Sequence, residues 1–174
     1  MARNVEIKAR IEARAALESA VARLADSGPV AIAQDDTFFH CPHGRLKLRE
    51  FADGSAELIA YDRPDTTGPK LSTYLRSAVN DPAGLRAALA AACGQRGRVR
   101  KQRTLYLIGA TRVHLDVVDG LGEFIELEVV LRDDQSAAQG EALARELLAA
   151  LGIADAQLVA AAYIDLLEQK VAHL

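Results

Sequence analysis

The sequence predicts an α+β fold: an eight-stranded antiparallel β-barrel, closed or nearly closed, with helices packed outside. Three observations predict it. About eight segments alternate apolar and polar residues with period two, as half-buried strands do. Short turns at Pro42-His43-Gly44, Asp53-Gly54, Gly109-Ala110 and Asp119-Gly120 join several of these segments, which favours antiparallel neighbours. The polar faces of the strands are ionic and the opposite faces apolar. Amphipathic helices can cover the apolar side, which leaves the ionic side facing a lumen.

Taken in order, the first strand runs from Asn4 to Ile11, with Asn4, Glu6, Lys8 and Arg10 opposing Val5, Ile7, Ala9 and Ile11. A helix from about Ala13 to Ala25 gathers Ala16, Leu17, Ala20, Val21 and Leu24 on one face, and Gly28-Pro29 ends it. Strands follow at Ile32–Cys41, Arg45–Phe51, Ala56–Arg63 and Lys70–Ser77. Asp81-Pro82 supplies a cap and a first-turn proline for a second helix that reaches Cys93 before Gly94. Three more strands occupy Val99–Ile108, Arg112–Val118 and Glu123–Leu131. A third helix spans Ser136 to Ala150, and a fourth holds Leu158 to Glu168. No Ser- or Pro-rich linker divides the chain, so residues 1–174 read as one domain.

Composition narrows the function. Of 174 residues, 50% are hydrophobic and 26% charged, which excludes collagen-like and disordered classes. No apolar run is long enough to span a membrane, and the N-terminus turns charged at once, without the apolar core of a signal peptide. Cys41 and Cys93 lie far apart without metal-ligand spacing, so a reduced, cytoplasmic protein is expected. With 24 acidic and 21 basic residues the net charge is −3, which argues against a nucleic-acid coat.

The ionic faces carry the chemistry. Arg45, Lys47 and Arg49 share one face of a single strand, and such like charges repel unless an anion sits among them. Lys70 and, on a later strand, Lys101 and Arg103 add to the set, while Arg112, His114 and Asp116 share a face, as do Glu126 and Glu128. A lumen lined with Lys and Arg and a few carboxylates suits a polyphosphate with divalent ions: cations neutralise phosphate oxygens, and carboxylates hold Mg²⁺ or Mn²⁺. Glu6, Asp116, Glu126 and Glu128 offer the hard oxygen ligands these ions take. His114 reads as a hydrogen-bonded lumen histidine, Cys41 and Cys93 as packed thiols, and Gly120-Leu121-Gly122 as a hairpin turn, since the third glycine of a nucleotide loop is missing.

A family resemblance enters on these residues. Val5-Glu6-Ile7-Lys8-Ala9-Arg10 resembles the E-x-E-x-K signature that opens the CYTH superfamily, the triphosphate tunnel metalloenzymes. The likeness continues in order through Asp36-Thr37-Phe38-Phe39, Arg45-Leu46-Lys47-Leu48-Arg49, Tyr61-Asp62-Arg63-Pro64-Asp65 and Lys70-Leu71-Ser72-Thr73-Tyr74. It then takes in Val99-Arg100-Lys101-Gln102-Arg103, Leu115-Asp116-Val117-Val118-Asp119-Gly120, Phe124-Ile125-Glu126-Leu127-Glu128 and Tyr163-Ile164-Asp165-Leu166-Leu167.

The resemblance implies an eight-stranded tunnel barrel and a metal-dependent enzyme on a triphosphate. It implies Glu6, Asp116, Glu126 and Glu128 as metal ligands, with Mg²⁺ or Mn²⁺ as cofactor. Lys8, Lys47, Arg49, Arg63, Lys70, Lys101 and Arg103 would bind substrate, and Lys8, Arg49, Arg103 and Asp116 are the candidate catalytic groups. The branch most resembled is the class IV adenylyl cyclases, which turn ATP into cyclic AMP and pyrophosphate. Hydrolysis of tripolyphosphate or thiamine triphosphate is the alternative, and a non-catalytic polyphosphate or nucleotide binder a further one. The implied partner is a small triphosphate, with neither nucleic acid nor membrane, and a homodimer stays open. Two positions depart from the pattern. Asn4 replaces the first Glu of the signature, and Ala161 and Ala162 stand where relatives often carry a basic residue.

Overall fold

The computed structural model describes residues 1–174. Eight strands close a barrel in the order β1-β5-β4-β3-β2-β6-β7-β8, every neighbouring pair antiparallel. They are β1 (Ala2–Arg10), β2 (Ser27–Phe39), β3 (Arg45–Phe51), β4 (Ala56–Asp62), β5 (Lys70–Ala78), β6 (Gln95–Ile108), β7 (Thr111–Val118) and β8 (Gly122–Val130). The helices are α1 (Arg14–Leu24), α2 (Pro82–Cys93), α3 (Ala137–Ala150) and α4 (Tyr163–Ala172). No helix is long and apolar enough to cross a membrane.

The apolar strand faces turn outward and are covered, as the alternation requires. Val5, Ile7 and Ala9 of β1 join Leu115 of β7, Ile125 and Leu127 of β8, Val21 of α1, and Ala144 and Leu148 of α3 in one buried cluster. At Gly140 of α3 an added Cβ would lie 2.7 Å from a Val5 methyl, so only glycine lets this helix approach β1 so closely. Phe39, Leu48 and Ala56 pack beneath Leu85 and Leu89 of α2. Helix caps follow sequence rules: Asp81 accepts from the Gly84 amide at 2.9 Å, and Ser136 with Gln139 forms a capping box on α3.

The two largest differences in boundary from the sequence reading each have a physical reason. β2 begins at Ser27 rather than Ile32, because the long β6 extends to Ile108 and pairs with Ser27 and Val30 across a register shift. The last helix begins at Tyr163 rather than Leu158. The preceding residues spend their backbone groups on the barrel: Val159 N–H donates to the Lys8 carbonyl at 2.9 Å, and Leu158 bridges Ala9. These groups are therefore withdrawn from intrahelical bonding.

Candidate active site

The lumen is divided along its axis. At one end Phe38, Val99, Val118 and Phe124 point inward and pack with Ala162, Tyr163 and Ile164 at the start of α4. This makes an apolar floor, with the Tyr163 and Phe124 rings 5.0 Å apart edge to face. Above it lies a cavity of about 280 Å³, lined by side chains from all eight strands and by Ala162 and Tyr163. Asn4, Glu6 and Lys8 reach it from β1, Asp36 from β2, Lys47 and Arg49 from β3, and Arg63 from just past β4. Lys101 and Arg103 come from β6, Arg112 and His114 from β7, and Glu126 and Glu128 from β8. Ile32, Phe51 and Leu105 line it farther along their strands from the floor.

Buried carboxylates hold the guanidinium groups by their edges. Asp36 accepts from Arg49 Nε at 2.8 Å and Nη2 at 2.7 Å, and Lys47 Nζ lies 3.0 Å from the same carboxylate. Asp116 accepts from Arg103 Nε and Nη2, both at 2.7 Å. Burial alone would raise both carboxyls, but Arg49 with Lys47, and Arg103 with Lys101, hold them well below the usual carboxylate range. Arg63 pairs with Glu6 at 2.7 Å, Lys8 with Glu126 at 3.5 Å, and Arg112 with Glu128 at 3.4 Å. Lys101 makes no ion pair. Its ammonium lies 5.1 Å from the Tyr163 ring centroid, and burial, reinforced by Arg103, pushes its pKa well down.

The acidic patch comes from three adjacent strands. In register, Glu6 of β1 faces Glu128 of β8, and Glu126 of β8 faces His114 of β7. Burial, with the charges of Glu126 and Glu128, raises the Glu6 carboxyl to about 7. Donor atoms of His114, Glu126 and Glu128 all lie within 4.8 Å of one another. The Nδ1 of His114 and the Oδ1 of Asn4 are buried with no hydrogen-bond partner. Crowded carboxylates beside orphaned donors fit a divalent cation, so the residues present suit the expected Mg²⁺ or Mn²⁺.

Most of the expected site residues line this one cavity; two stand apart. Lys70 donates to the carbonyls of Thr66 and Ala160, outside the lining, and its pKa falls to about 8 chiefly through burial, with Arg63 adding to it. Asp116 shares the lumen face of β7 but sits below the cavity, fully buried. There both its oxygens accept from Arg103, and one of them also accepts from the Tyr163 hydroxyl at 2.8 Å. Arg45 turns to Asp65 and Asp165, each at 2.8 Å. Sequence reasoning gave no role to Asp36 or Tyr163. Asp36 was detectable as the only acid on its strand face, between Gln34 and Phe38. Tyr163 was visible only as part of a motif.

The backbone just before α4 offers carbonyl acceptors to cations of the barrel. The Ala160 carbonyl accepts from Arg63 at 3.1 Å and the Ala161 carbonyl from Lys8 at 3.4 Å.

Comparisons with known proteins agree with this fold. No curated protein matches the sequence. Among solved structures, one from Pyrococcus horikoshii superposes with a TM-score of 0.83 at 20% identity, covering 93% of this chain and 98% of the other. A candidate adenylate cyclase from Vibrio parahaemolyticus superposes at 0.77 with 18% identity over 95% and 97% of the two chains. A candidate adenylyl cyclase from Hippeastrum, described as having a dominant triphosphatase activity, superposes at 0.66 with 16% identity over 96% of each chain. At these identities the likeness shows the fold. The family model of the CYTH domain matches residues 2–163, nearly the whole chain, and the protein belongs to the CYTH family.

Proposed function

We propose that the protein is a divalent-metal-dependent enzyme acting on a triphosphate held inside the barrel. One observation carries this reading: Lys and Arg side chains from six of the eight strands or their ends converge with a carboxylate cluster in a single cavity whose floor is sealed by Tyr163. A net charge of −3 gives no general reason to gather cations, so their convergence serves a local anion.

In this reading Lys8, Lys47 and Lys101 act as point charges on phosphate oxygens, and Arg49 and Arg103 as planar clamps. Asp36 and Asp116 do not touch substrate. Each fixes a guanidinium plane, so that the remaining N–H groups point where phosphate charge develops. Glu126 and Glu128, with Glu6 opposite, would hold Mg²⁺ or Mn²⁺, which would neutralise phosphate oxygens and polarise the reacting phosphorus. The chain's own contribution is positioning and charge stabilisation, the main requirement of phosphoryl and nucleotidyl transfer.

Two reactions suit such a cavity. Cyclisation of ATP sends the ribose 3′-oxygen to the α-phosphorus and releases pyrophosphate. Ile32, Phe51 and Leu105 favour it, because an apolar stretch beyond the cations suits a nucleoside rather than a bare phosphate chain. Hydrolysis sends water to the terminal phosphorus. The modest volume, about 280 Å³, favours it, being just below the range usual for drug-sized ligands. Incubation with ATP, tripolyphosphate and thiamine triphosphate, each with Mg²⁺ or Mn²⁺, tests both readings. Cyclic AMP with pyrophosphate marks the cyclase and orthophosphate the triphosphatase. Failure of every triphosphate to bind or react overturns the proposal.

A further inference from the structure

We propose that His114 is a third ligand of the metal site, alongside Glu126 and Glu128, and that it makes the site select a transition-metal ion such as Mn²⁺ over Mg²⁺. The inference rests on the metal-enzyme reading above and goes beyond its all-oxygen ligand set.

The geometry starts from register. His114 stands directly opposite Glu126 on the lumen face of β7 and β8, and Glu128 follows two residues along the same face. Cross-strand partners of this kind hold their Cβ atoms within about 5.5 Å, so side chains from both strands can reach one point. The three donor atoms already lie within 4.8 Å of one another. His114 Nδ1 lies 3.8 Å from a Glu126 oxygen and 3.9 Å from a Glu128 oxygen, so the three donors converge on one gap between the strands.

The imidazole nitrogen itself is the second, independent observation. His114 is 5% exposed, and its Nδ1 has no hydrogen-bond partner. The nearest carboxylate oxygens are those of Glu126 at 3.8 Å and Glu128 at 3.9 Å, too long for hydrogen bonds. A buried polar nitrogen aimed at two carboxylates and bonded to neither is costly unless something occupies the gap. A hydrogen-bonded lumen histidine, the sequence expectation, would have its nitrogen satisfied. Here an ion would satisfy the nitrogen and both carboxylates at once.

The donor set then fixes the metal class. Mg²⁺ takes oxygen and dehydrates reluctantly, whereas imidazole suits the first-row transition ions, whose affinity for nitrogen donors rises from Mn²⁺ onward. One nitrogen with two carboxylates therefore favours the transition ion.

Mn²⁺ serves as the probe, read without turnover. Electron spin-echo envelope modulation of the Mn²⁺-loaded full-length protein should show ¹⁴N coupling from a directly bound imidazole, lost in His114→Asn. Calorimetry should show Mn²⁺ affinity at least about tenfold weaker in His114→Asn, with Mg²⁺ affinity changed less than about threefold. The wild-type spectrum decides even if the variant fails to fold. Bound Mn²⁺ without ¹⁴N coupling, or equal losses for the two ions, overturns the role of His114 and leaves the carboxylate site standing. No Mn²⁺ bound to the wild type, under conditions where Glu128→Gln is also silent, overturns this inference together with the metal-enzyme reading.

Discussion

Arg103 and Asp116 face each other in register across β6 and β7 and are joined by two hydrogen bonds of 2.7 Å, both groups almost wholly buried. The pair leaves one edge of the guanidinium free, and Arg103 Nη2 also lies 3.6 Å from Glu126. The carboxylate thus does two things: it neutralises a buried cation, and it prevents the guanidinium from rotating.

Asp116→Asn keeps the shape and removes the charge. Breaking one side of a buried pair typically costs about 3–5 kcal/mol, because the other charge is left uncompensated. The variant should melt well below the wild type and bind tripolyphosphate more weakly, as Arg103 loses its fixed orientation. Thermal melts and calorimetry read the two effects separately. Unchanged melting and affinity would remove the positioning role.

Glu128→Gln tests the acidic patch. Glu128 pairs with Arg112 at the rim rather than in the packed floor, so the amide should leave the fold intact. Divalent-ion binding by calorimetry should fall at least about tenfold, with activity following it. A variant that folds and keeps the wild-type metal response would contradict the assignment.

Much of this architecture was legible in the chain. Alternation alone separated Val5, Ile7 and Ala9 from Glu6 and Lys8, and a barrel turns that separation into outside and inside. What alternation does not encode is depth along the barrel axis. Phe38, Val99 and Phe124 occupy the same lumen faces as Lys101 and Glu126, yet they form the floor because α4, from the far end of the chain, docks there. Asp116 and Lys70 also sit on lumen faces but outside the lining of the cavity, for the same reason. Asp36 was visible only as part of a motif and drew no role, because its neighbours on β2, Gln34 and Phe38, are uncharged; its significance comes from Arg49 across the strand pair.

Glu6 sets a pH dependence for the metal-free protein. Its carboxyl titrates near 7 in the fold, against about 4.5 unfolded, so between those values the folded state holds the extra proton. Stability from this group is therefore greatest below about pH 4.5 and falls as pH rises to 7, by roughly 1–3 kcal/mol. Glu6→Gln should abolish that slope. Denaturant titrations of both proteins in chelator between pH 5 and pH 8 measure it, and parallel profiles would exclude Glu6 as the cause.

Tyr163 joins the floor to the ionic cavity, and its two halves can be tested apart. Its hydroxyl donates to Asp116 at 2.8 Å, while Lys8 Nζ lies 4.0 Å from its ring centroid. Tyr163→Phe keeps the ring and removes one hydrogen bond to a charged acceptor, a loss of about 1.5–3 kcal/mol, with the Lys8 contact preserved. Tyr163→Ala also removes the ring from between Phe124 and the two lysines, and truncation of a large buried aromatic costs about 3–5 kcal/mol. The Phe variant should therefore fold and bind tripolyphosphate with only a modest loss. The Ala variant should melt far lower and lose affinity strongly, because water then reaches Lys8 and Lys101 from below and screens their charges from the phosphate. Melting curves with tripolyphosphate titrations at two salt concentrations separate the effects. Equal affinities for the two variants would mean that the floor shapes the barrel without shaping the field inside it.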